Sequence, residues 1–390
     1  MPRIHPGLLA LSITAFAIGM AEFIVVGILP EIAAALDIPL SRAGSLVGLY
    51  ALALALGTPI VVLLLSSLPS RPVLIFLIVL FLTGSAITAC SHGYATFLLG
   101  RMMTAVAHGS FFAIGATVAA RIAPPGMAAR AIAIMFAGLT LAMVIGVPAG
   151  SLLGQVMGWR VPLLMVSVLA ALALLAIFLW LPVVPGHRAG QIGEQLGVLQ
   201  HPAILAMMAI TVLGFGGSFA AFTFIIPLLT QISGFTPAAA GVLLMVFGAA
   251  TLAGNLAGGH LSSTYGWHAT LRVQCLLLAV TLAALAVALP WKGAVVVLLF
   301  IWGTLAFGIS PAVQQGMLST AERYAPGAVG FSSALNISAF NLGIFFGENV
   351  GSVLVRHQHL AWTPWMSMAI CLSALVPLNI LLRYGRRQAE

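Results

Sequence analysis

The chain has 390 residues, of which 62% are hydrophobic and only 6% are charged, and its mean hydropathy is +1.16. No water-soluble fold can bury that much apolar surface, so the composition excludes a soluble globular domain. The formal net charge of +8 does not indicate nucleic-acid binding, because the basic residues stand singly at the ends of apolar segments and form no patch.

Twelve charge-poor segments follow one another along the chain, each long enough to cross a bilayer as a helix of about 20 residues. We number them spans one to twelve, at 8–30, 44–66, 72–90, 95–120, 129–155, 161–182, 203–231, 238–261, 269–290, 294–319, 328–355 and 361–383. The sequence therefore predicts an all-α integral membrane protein. It has an N-terminal six-helix bundle (1–182), a cytoplasmic linker (183–202) and a C-terminal six-helix bundle (203–390).

The basic residues in the short loops predict the orientation of these spans. With the N-terminus inside, ten lie on the cytoplasmic side and four on the other side. The ten are Arg3, Arg71, Arg121, Arg130, Arg188, Arg272, Arg323, Arg383, Arg386 and Arg387, and the four are Arg42, Arg160, Lys292 and Arg356. We therefore expect a multi-pass protein of a bacterial inner membrane with both termini in the cytoplasm.

The two halves carry an internal repeat. Residues 146–153 (GVPAGSLL) in span five align with residues 347–354 (GENVGSVL) in span eleven, at an offset of 201 residues. Duplicated halves are the architecture of many secondary transporters, whose substrate site lies between the halves near the middle of the bilayer.

Span five also carries the most specific motif of the chain. Gly146, Gly150 and Gly154 stand four residues apart and let helices pack closely, while Pro148 bends the helix and frees a carbonyl. The motif resembles the glycine and proline signature of antiporters in the major facilitator superfamily. Within that family, the chain resembles the drug and sugar efflux branch, which includes arabinose-efflux-permease-like proteins.

Other segments are similar to the same branch, and one departs from it. The similar segments are residues 21–32 in span one, 100–112 in span four and 158–160 before span six. The family's loop between spans two and three carries an acid and several basic residues, of which only Arg71 is present here. Because that loop helps to latch the carrier's two conformations in the family, we expect gating here to use other contacts.

Glu22 in span one is the sharpest functional candidate, since a carboxyl inside a span is expected to face a cavity or a partner. Taking up and releasing a proton there is the chemistry of a proton-coupled antiporter. Arg101 in span four is its expected partner, because the two residues lie about 12 Å and about 9 Å from the outer ends of their spans. A permanent structural ion pair is the alternative. His108, two turns deeper than Arg101, is expected to relay protons or to bind substrate.

Glu348 is the second acid inside a span and takes the place of Val147 in the repeat. We expect a second protonation site or a substrate anchor. An acid that snorkels or pairs with Arg356 is the alternative.

Amides and aromatic rings supply the remaining candidates for substrate binding. Amides both donate and accept hydrogen bonds, which suits the hydroxyl groups of a sugar or nucleoside, although about half of them are expected to join helices instead. The predicted substrate-binding residues are Glu22, Phe111, Phe222, Asn255, Gln314, Gln315, Asn336 and Asn341.

These patterns favour a transporter over an enzyme, a channel or a receptor. The spans contain no metal-ligand cluster, nucleophile motif or phosphate-binding loop. The resemblance implies proton-coupled export of a small molecule by alternating access, with multidrug or phenicol efflux as the alternative to a sugar-like substrate. We expect a monomer among membrane lipids with no cofactor, no metal and no nucleic acid.

Overall fold

A computed structural model describes residues 5–65, 68–124, 128–183 and 197–387. Within these ranges, twelve helical segments are long and apolar enough to cross a membrane. They are Pro6–Gly27, Leu40–Leu65, Ser70–Ala89, Tyr94–Ile122, Ile134–Met157, Arg160–Trp180, Pro202–Phe222, Pro237–Tyr265, Trp267–Ala288, Lys292–Tyr324, Pro326–Arg356 and Leu360–Tyr384. The predicted fold class is confirmed, and each predicted span corresponds to one of these segments.

The α-helix of span five is interrupted just before Pro148. The α-helix Ala128–Leu141 is followed by a π-helical turn, Ala142–Gly146, and then by the α-helix Val147–Met157. Pro148 has no backbone N–H to continue the ordinary helical pattern, and the N–H of Val147 reaches five residues back to the carbonyl of Ala142.

Span seven is also irregular. Its helix Pro202–Gly214 passes into a 3₁₀ turn at Gly216–Ser218 and a short helix at Phe219–Phe222. The expected extension of this span to residue 231 is wrong as a single helix, because Phe224 leaves helical geometry and only short segments follow at Ile225–Pro227 and Leu228–Ile232.

The described chain forms two compact units. The first comprises Met1–Ile38 and Ala53–Ala189, and the second comprises Pro39–Leu52 and Gly190–Glu390. The first part of the span-two helix Leu40–Leu65, up to Leu52, thus groups with the second unit. The predicted linker, 183–202, falls largely on residues 184–196, which lie outside the described residues.

Three helix pairs of the first unit recur at equivalent positions in the second. In the first unit, span one packs on span five, and span three packs on spans four and six. In the second unit, span seven packs on span eleven, and span nine packs on spans ten and twelve. This correspondence of pairs is the structural form of the 201-residue repeat.

Candidate transport site

Arg101 and Glu22 meet in the first unit. Glu22 is half-buried on span one, and Arg101 on span four is 2% exposed. The Arg101 Nη1 donates to the carbonyl oxygen of Ala21 at 2.5 Å, and its Nη2 donates to the carbonyl oxygen of Glu22 at 3.3 Å. The guanidinium also interacts electrostatically with the Glu22 carboxyl. The arginine therefore fastens span four to the backbone of span one beside the acid.

His108 extends this polar group along span four. It is 7% exposed, lies two helical turns from Arg101 and interacts with its charge. Its ring is 5.2 Å from that of Phe112, centroid to centroid. Phe111 is 1% exposed and belongs to the apolar core of the first unit, so the structure places this predicted substrate residue in helix packing.

The glycine motif of span five faces span one. A Cβ added at Gly146 would lie 3.2 Å from Phe16, and one added at Gly150 would lie 3.0 Å from Met20 and 2.5 Å from Ile24. At Gly154 it would lie 2.6 Å from Ile28. The motif therefore packs span five on the helix that carries Glu22.

Two neighbours of the motif complete that contact. Pro148 is buried in the same helix, after the π-helical turn. Ser151 Oγ donates to the carbonyl oxygen of Gly27 at 2.6 Å, at the end of span one. Glu22 is thus held on a helix that is bonded from both span four and span five.

Arg71 binds within the first unit. Its Nη2 donates to the carbonyl oxygen of Phe178 at 2.6 Å, and its guanidinium carbon lies 5.7 Å from the centre of the Phe178 ring. This contact joins the start of span three to the end of span six. The neighbouring loop residues 66 and 67 lie outside the described residues, and the gating role of Arg71 stays a prediction.

Two predicted substrate amides belong to a chain of hydrogen bonds between spans seven, ten and eleven. Thr211 Oγ1 donates to Asn336 Oδ1 at 2.6 Å, and Asn336 Nδ2 donates to Gln314 Oε1 at 2.8 Å. Gln314 Nε2 then donates to Ser333 Oγ at 2.7 Å. Since Asn336 is fully buried, this chain stabilises the second unit from within.

The other predicted amides are placed differently. Gln315 accepts a hydrogen bond from Ser262 at 2.5 Å on the exposed side of span ten. Asn341 is 7% exposed and donates to the carbonyl oxygen of Ile337, while its own Oδ1 has no hydrogen-bond partner among the described residues. Asn255 is exposed on span eight. Of the predicted substrate amides, Asn341 is therefore the buried one whose acceptor has no partner among the described residues.

Phe222 belongs to an aromatic cluster in the second unit that sequence reasoning found only in part. Its members, on spans seven, eight, ten and eleven, are Phe215, Phe219, Phe222, Phe247, Trp302, Phe307 and Phe340. The signal in the sequence is the spacing of Phe215, Phe219 and Phe222, which places three rings on one helical face. Trp302 Nε1 donates to Ser218 Oγ at 3.3 Å, so its polar atom is satisfied.

Glu348 lies in a separate place in the second unit. Its side chain is 0% exposed, and its Oε1 is hydrogen-bonded to the Ser352 hydroxyl one turn further along span eleven. Its Oε2 has no hydrogen-bond partner among the described residues. The carboxyl packs on the first part of span two, where a Cβ added at Gly48 would overlap it and one added at Gly44 would lie 3.0 Å from Oε1. The structure thus gives Glu348 a partner on its own helix.

The comparison with known proteins decides the family. The family model described as Major Facilitator Superfamily matches residues 11–348. The chain belongs to the Major Facilitator Superfamily. This facilitator is 36% identical to the "Inner membrane transport protein YdhP" of Escherichia coli (strain K12), over 100% of this chain and 98% of that protein. It is 27% identical to a "Probable sugar efflux transporter" of Helicobacter acinonychis (strain Sheeba), over 96% of this chain and 95% of that protein.

A solved structure supports the fold of this facilitator. The crystal structure of a D-xylose-proton symporter superposes with a TM-score of 0.75 at 15% identity, covering 95% of this chain and 96% of that one. The protein is therefore a multi-pass inner-membrane transporter of the Major Facilitator Superfamily and not an enzyme. The resemblance noted from spans one, four and five is confirmed.

Proposed function

We propose that this facilitator exports a small hydroxylated molecule, such as a sugar, a sugar analogue or a nucleoside-like metabolite, in exchange for protons. The observation that carries the proposal is the contact of Glu22 with Arg101 in the first unit. A carboxyl half-buried within an apolar span, next to a buried cation, provides a group whose charge depends on a proton and on what occupies its surroundings.

The hydrogen bonds of the Arg101 guanidinium to backbone carbonyl oxygens support a proton-coupling role for Glu22. Two of its nitrogens are engaged by the carbonyl oxygens of Ala21 and Glu22. The arginine thus keeps its place on span one whether or not the Glu22 carboxyl carries a proton. We therefore assign proton exchange to Glu22 and the positioning of that acid to Arg101. His108, on the same face of span four, is the proposed relay.

The substrate class rests on the second unit and on a relative. Asn341 leaves a buried acceptor unused, and Asn255 is an exposed amide on span eight. Both suit hydroxyl groups. Asn336 and Gln314 are assigned to helix packing, because their amide groups already bond each other. The printed name of the Helicobacter relative, a sugar efflux transporter, favours the same class and the direction of export.

A second candidate is efflux of hydrophobic drug-like or phenicol-type compounds. The aromatic cluster around Phe222 and Trp302 favours it, since stacked and edge-on rings bind apolar ligands without fixed hydrogen-bond geometry. Substrate screening separates the two candidates, because only a hydroxylated ligand is expected to depend on Asn341.

The test is counter-transport by the purified protein in proteoliposomes, with ligands first selected by a rise in melting temperature. A pH gradient is expected to drive the selected sugar or nucleoside against the proton flow. Glu22→Gln is expected to reduce gradient-driven transport to the level of empty liposomes while exchange of substrate for substrate continues, because the amide carries no exchangeable charge.

The matched control is Glu322→Gln, which removes an exposed acid and is expected to leave gradient-driven transport unchanged. The proposal is wrong if the gradient drives no counter-transport of any sugar, nucleoside or phenicol. It is also wrong if Glu22→Gln retains full gradient-driven transport.

A further inference from the structure

The hydrogen bonds around Ser352 require more hydrogens than Ser352 itself supplies. Its Oγ lies 2.9 Å from the carbonyl oxygen of Ser41, which can only accept, and is also bonded to Glu348 Oε1. A serine hydroxyl has one hydrogen. If that hydrogen goes to the carbonyl of Ser41, the Glu348 carboxyl must be the donor in the other bond. The arrangement is therefore complete when Glu348 carries a proton.

The repeat shows which way the serine points when no acid is present. Ser151 stands 201 residues before Ser352 and donates its hydrogen to the carbonyl of Gly27 at 2.6 Å. The residue four positions before Ser151 is Val147, the counterpart of Glu348. Both serines thus approach a backbone carbonyl of a neighbouring segment, and donation to that carbonyl is the role they share.

The surroundings of Glu348 also favour its neutral form. The carboxyl is 0% exposed, Oε2 has no partner among the described residues, and Gly44, Gly48 and Phe224 close around it. An ionised carboxylate left in such a place, without paired hydrogen bonds, is strongly disfavoured.

Charged and titratable groups lie on two of the elements that pack around Glu348. Span two carries Arg42 and Tyr50, and span eleven carries Arg356. Residues 215–233, at the end of span seven and in the short segments after it, include no acidic or basic side chain. Arg42 and Arg356 are exposed and line a cavity of about 750 Å³, whose wall also includes Ser352 and Ser45. The hydroxyl of Ser352 thus stands between the carboxyl and this cavity.

We propose that Glu348 is a second proton-binding site, whose protonated form fastens span eleven to residues 41–48 of span two. The proton leaves when Ser352 accepts it from Glu348 and passes its own hydrogen to water in the cavity. In this step Glu348 loses one proton to the water, and its carboxyl is left with one negative charge. That charge disfavours the glycine-lined packing, so the contact with span two loosens.

This inference goes beyond the proposed function, which assigns coupling to Glu22 in the first unit. Residues 41–48 and Glu348 lie in the same compact unit, so their contact is a property of that unit alone. The contact can be measured without substrate and without a gradient. Failure of this inference is therefore distinguishable from failure of proton-coupled export.

The experiment measures how fast a thiol introduced by Ser45→Cys reacts with a charged maleimide, after Cys90, Cys275 and Cys371 are replaced by alanine. A protein that keeps only Cys90, which is exposed, corrects for the effect of pH on thiol reactivity. From about pH 5 to about pH 9, we expect the corrected rate to rise about tenfold. This factor corresponds to the loss of one hydrogen bond of a buried group.

Three variants identify the group that titrates. With Glu348→Gln the corrected rate is expected to stay low at every pH, because the amide is neutral and still donates to Ser352. With Ser352→Ala it is expected to be high at every pH, since the bond to Ser41 is gone. With Arg42→Gln and Arg356→Gln combined, the pH-dependent rise is expected to remain.

Infrared spectra of the otherwise unmodified protein provide a second measurement that needs no cysteine variant. The stretching band of protonated carboxyls is expected at neutral pH, is lost at high pH, and is expected to be weaker in Glu348→Gln by the contribution of Glu348. A corrected thiol rate that is independent of pH overturns the proposal. So does a rise that persists in Glu348→Gln, a rise that disappears in the double arginine variant, or a carboxyl band that Glu348→Gln retains at full intensity.

Discussion

Residues 146–150 of span five and 347–351 of span eleven hold their glycines in the same places, yet they pack in different ways. In span five, a Cβ added at Gly146 would meet the side chains of Phe16 and Met20. In span eleven, a Cβ added at Gly347 would overlap the backbone carbonyl of Gly216. The second unit thus brings two helix backbones together where the first unit brings a backbone against side chains.

The residues between the glycines also differ between the two spans, in type and in the local helix geometry around them. Pro148 in span five follows a π-helical turn, whereas Asn349 in span eleven lies in the uninterrupted helix Val329–Arg356. Val147 is apolar, and Glu348 is a buried acid beside a serine. The duplicated glycines therefore specify which helices pack together, while the positions between them carry different chemistry in the two halves.

The largest effect is expected from adding a methyl group at each matched glycine. Gly347→Ala is expected to destabilise the protein by about 1–3 kcal/mol, because a helix backbone must move to make room. Gly146→Ala is expected to cost less than about 1 kcal/mol, since the end of the Phe16 ring can shift by a few tenths of an ångström. The measurement is the melting temperature of both variants in detergent.

Gly330→Ala is the control for helix propensity, because Gly330 lies in the same α-helix as Gly347, Val329–Arg356, and a Cβ there would meet nothing within 4 Å. Equal losses at Gly146 and Gly347 would contradict the difference between the two helix contacts. A larger loss of melting temperature in Gly146→Ala than in Gly347→Ala would reverse the predicted order.

The smallest effect is expected at Glu31, an acid outside the spans. It tests whether a partly buried carboxyl with no hydroxyl partner lowers the stability of the folded protein when it is ionised. Burial raises the pKa of Glu31, on the short helix Leu29–Ala35, against the opposing effect of its backbone hydrogen bond. A raised pKa means that the folded protein binds this proton more tightly than the unfolded chain. Stability is therefore lost as pH rises above about 4.5, the ordinary pKa of the group.

Glu31→Gln is accordingly expected to match the unmodified protein near pH 4.5 and to melt about 1–2 °C higher near pH 7.5. The exposed Glu322→Gln serves as the control and is expected to give no such difference. A Glu31→Gln protein that melts lower than the unmodified protein near pH 7.5 would show that the charged carboxyl stabilises the helix start.

Much of the fold could be predicted from the sequence because lipid imposes a simple rule on it. Each span had to be a helix, and runs of apolar residues marked all of the segments that the structure describes as long enough to cross a membrane. The pairing of Gly146 with Gly347 in the repeat also followed from residue order alone. Boundaries differed most in span seven, which ends at Phe222 because Phe224 leaves helical geometry. The 3₁₀ turn at Gly216–Ser218, next to the close approach of span eleven, was not predicted either.

The site could be predicted less completely, because residue type does not say which partner a polar group will find. Asn336 and Asn341 are the same amide on the same helix, five residues apart. One is bonded on both sides by Thr211 and Gln314, and the other keeps an unused acceptor. Likewise Glu348 could be recognised from the sequence as an acid inside a span, but its contact with Ser352 and Gly48 depends on how span two packs.

The most direct test of proton-coupled export is the proton movement that substrate itself causes. Proteoliposomes holding a pH-sensitive dye are mixed with the substrate identified by thermal screening, with no gradient imposed. We expect the interior to become more alkaline as substrate enters and protons leave, and we expect Glu22→Gln to abolish this change while substrate still exchanges. Substrate entry with no change of internal pH, or with acidification, would contradict the account.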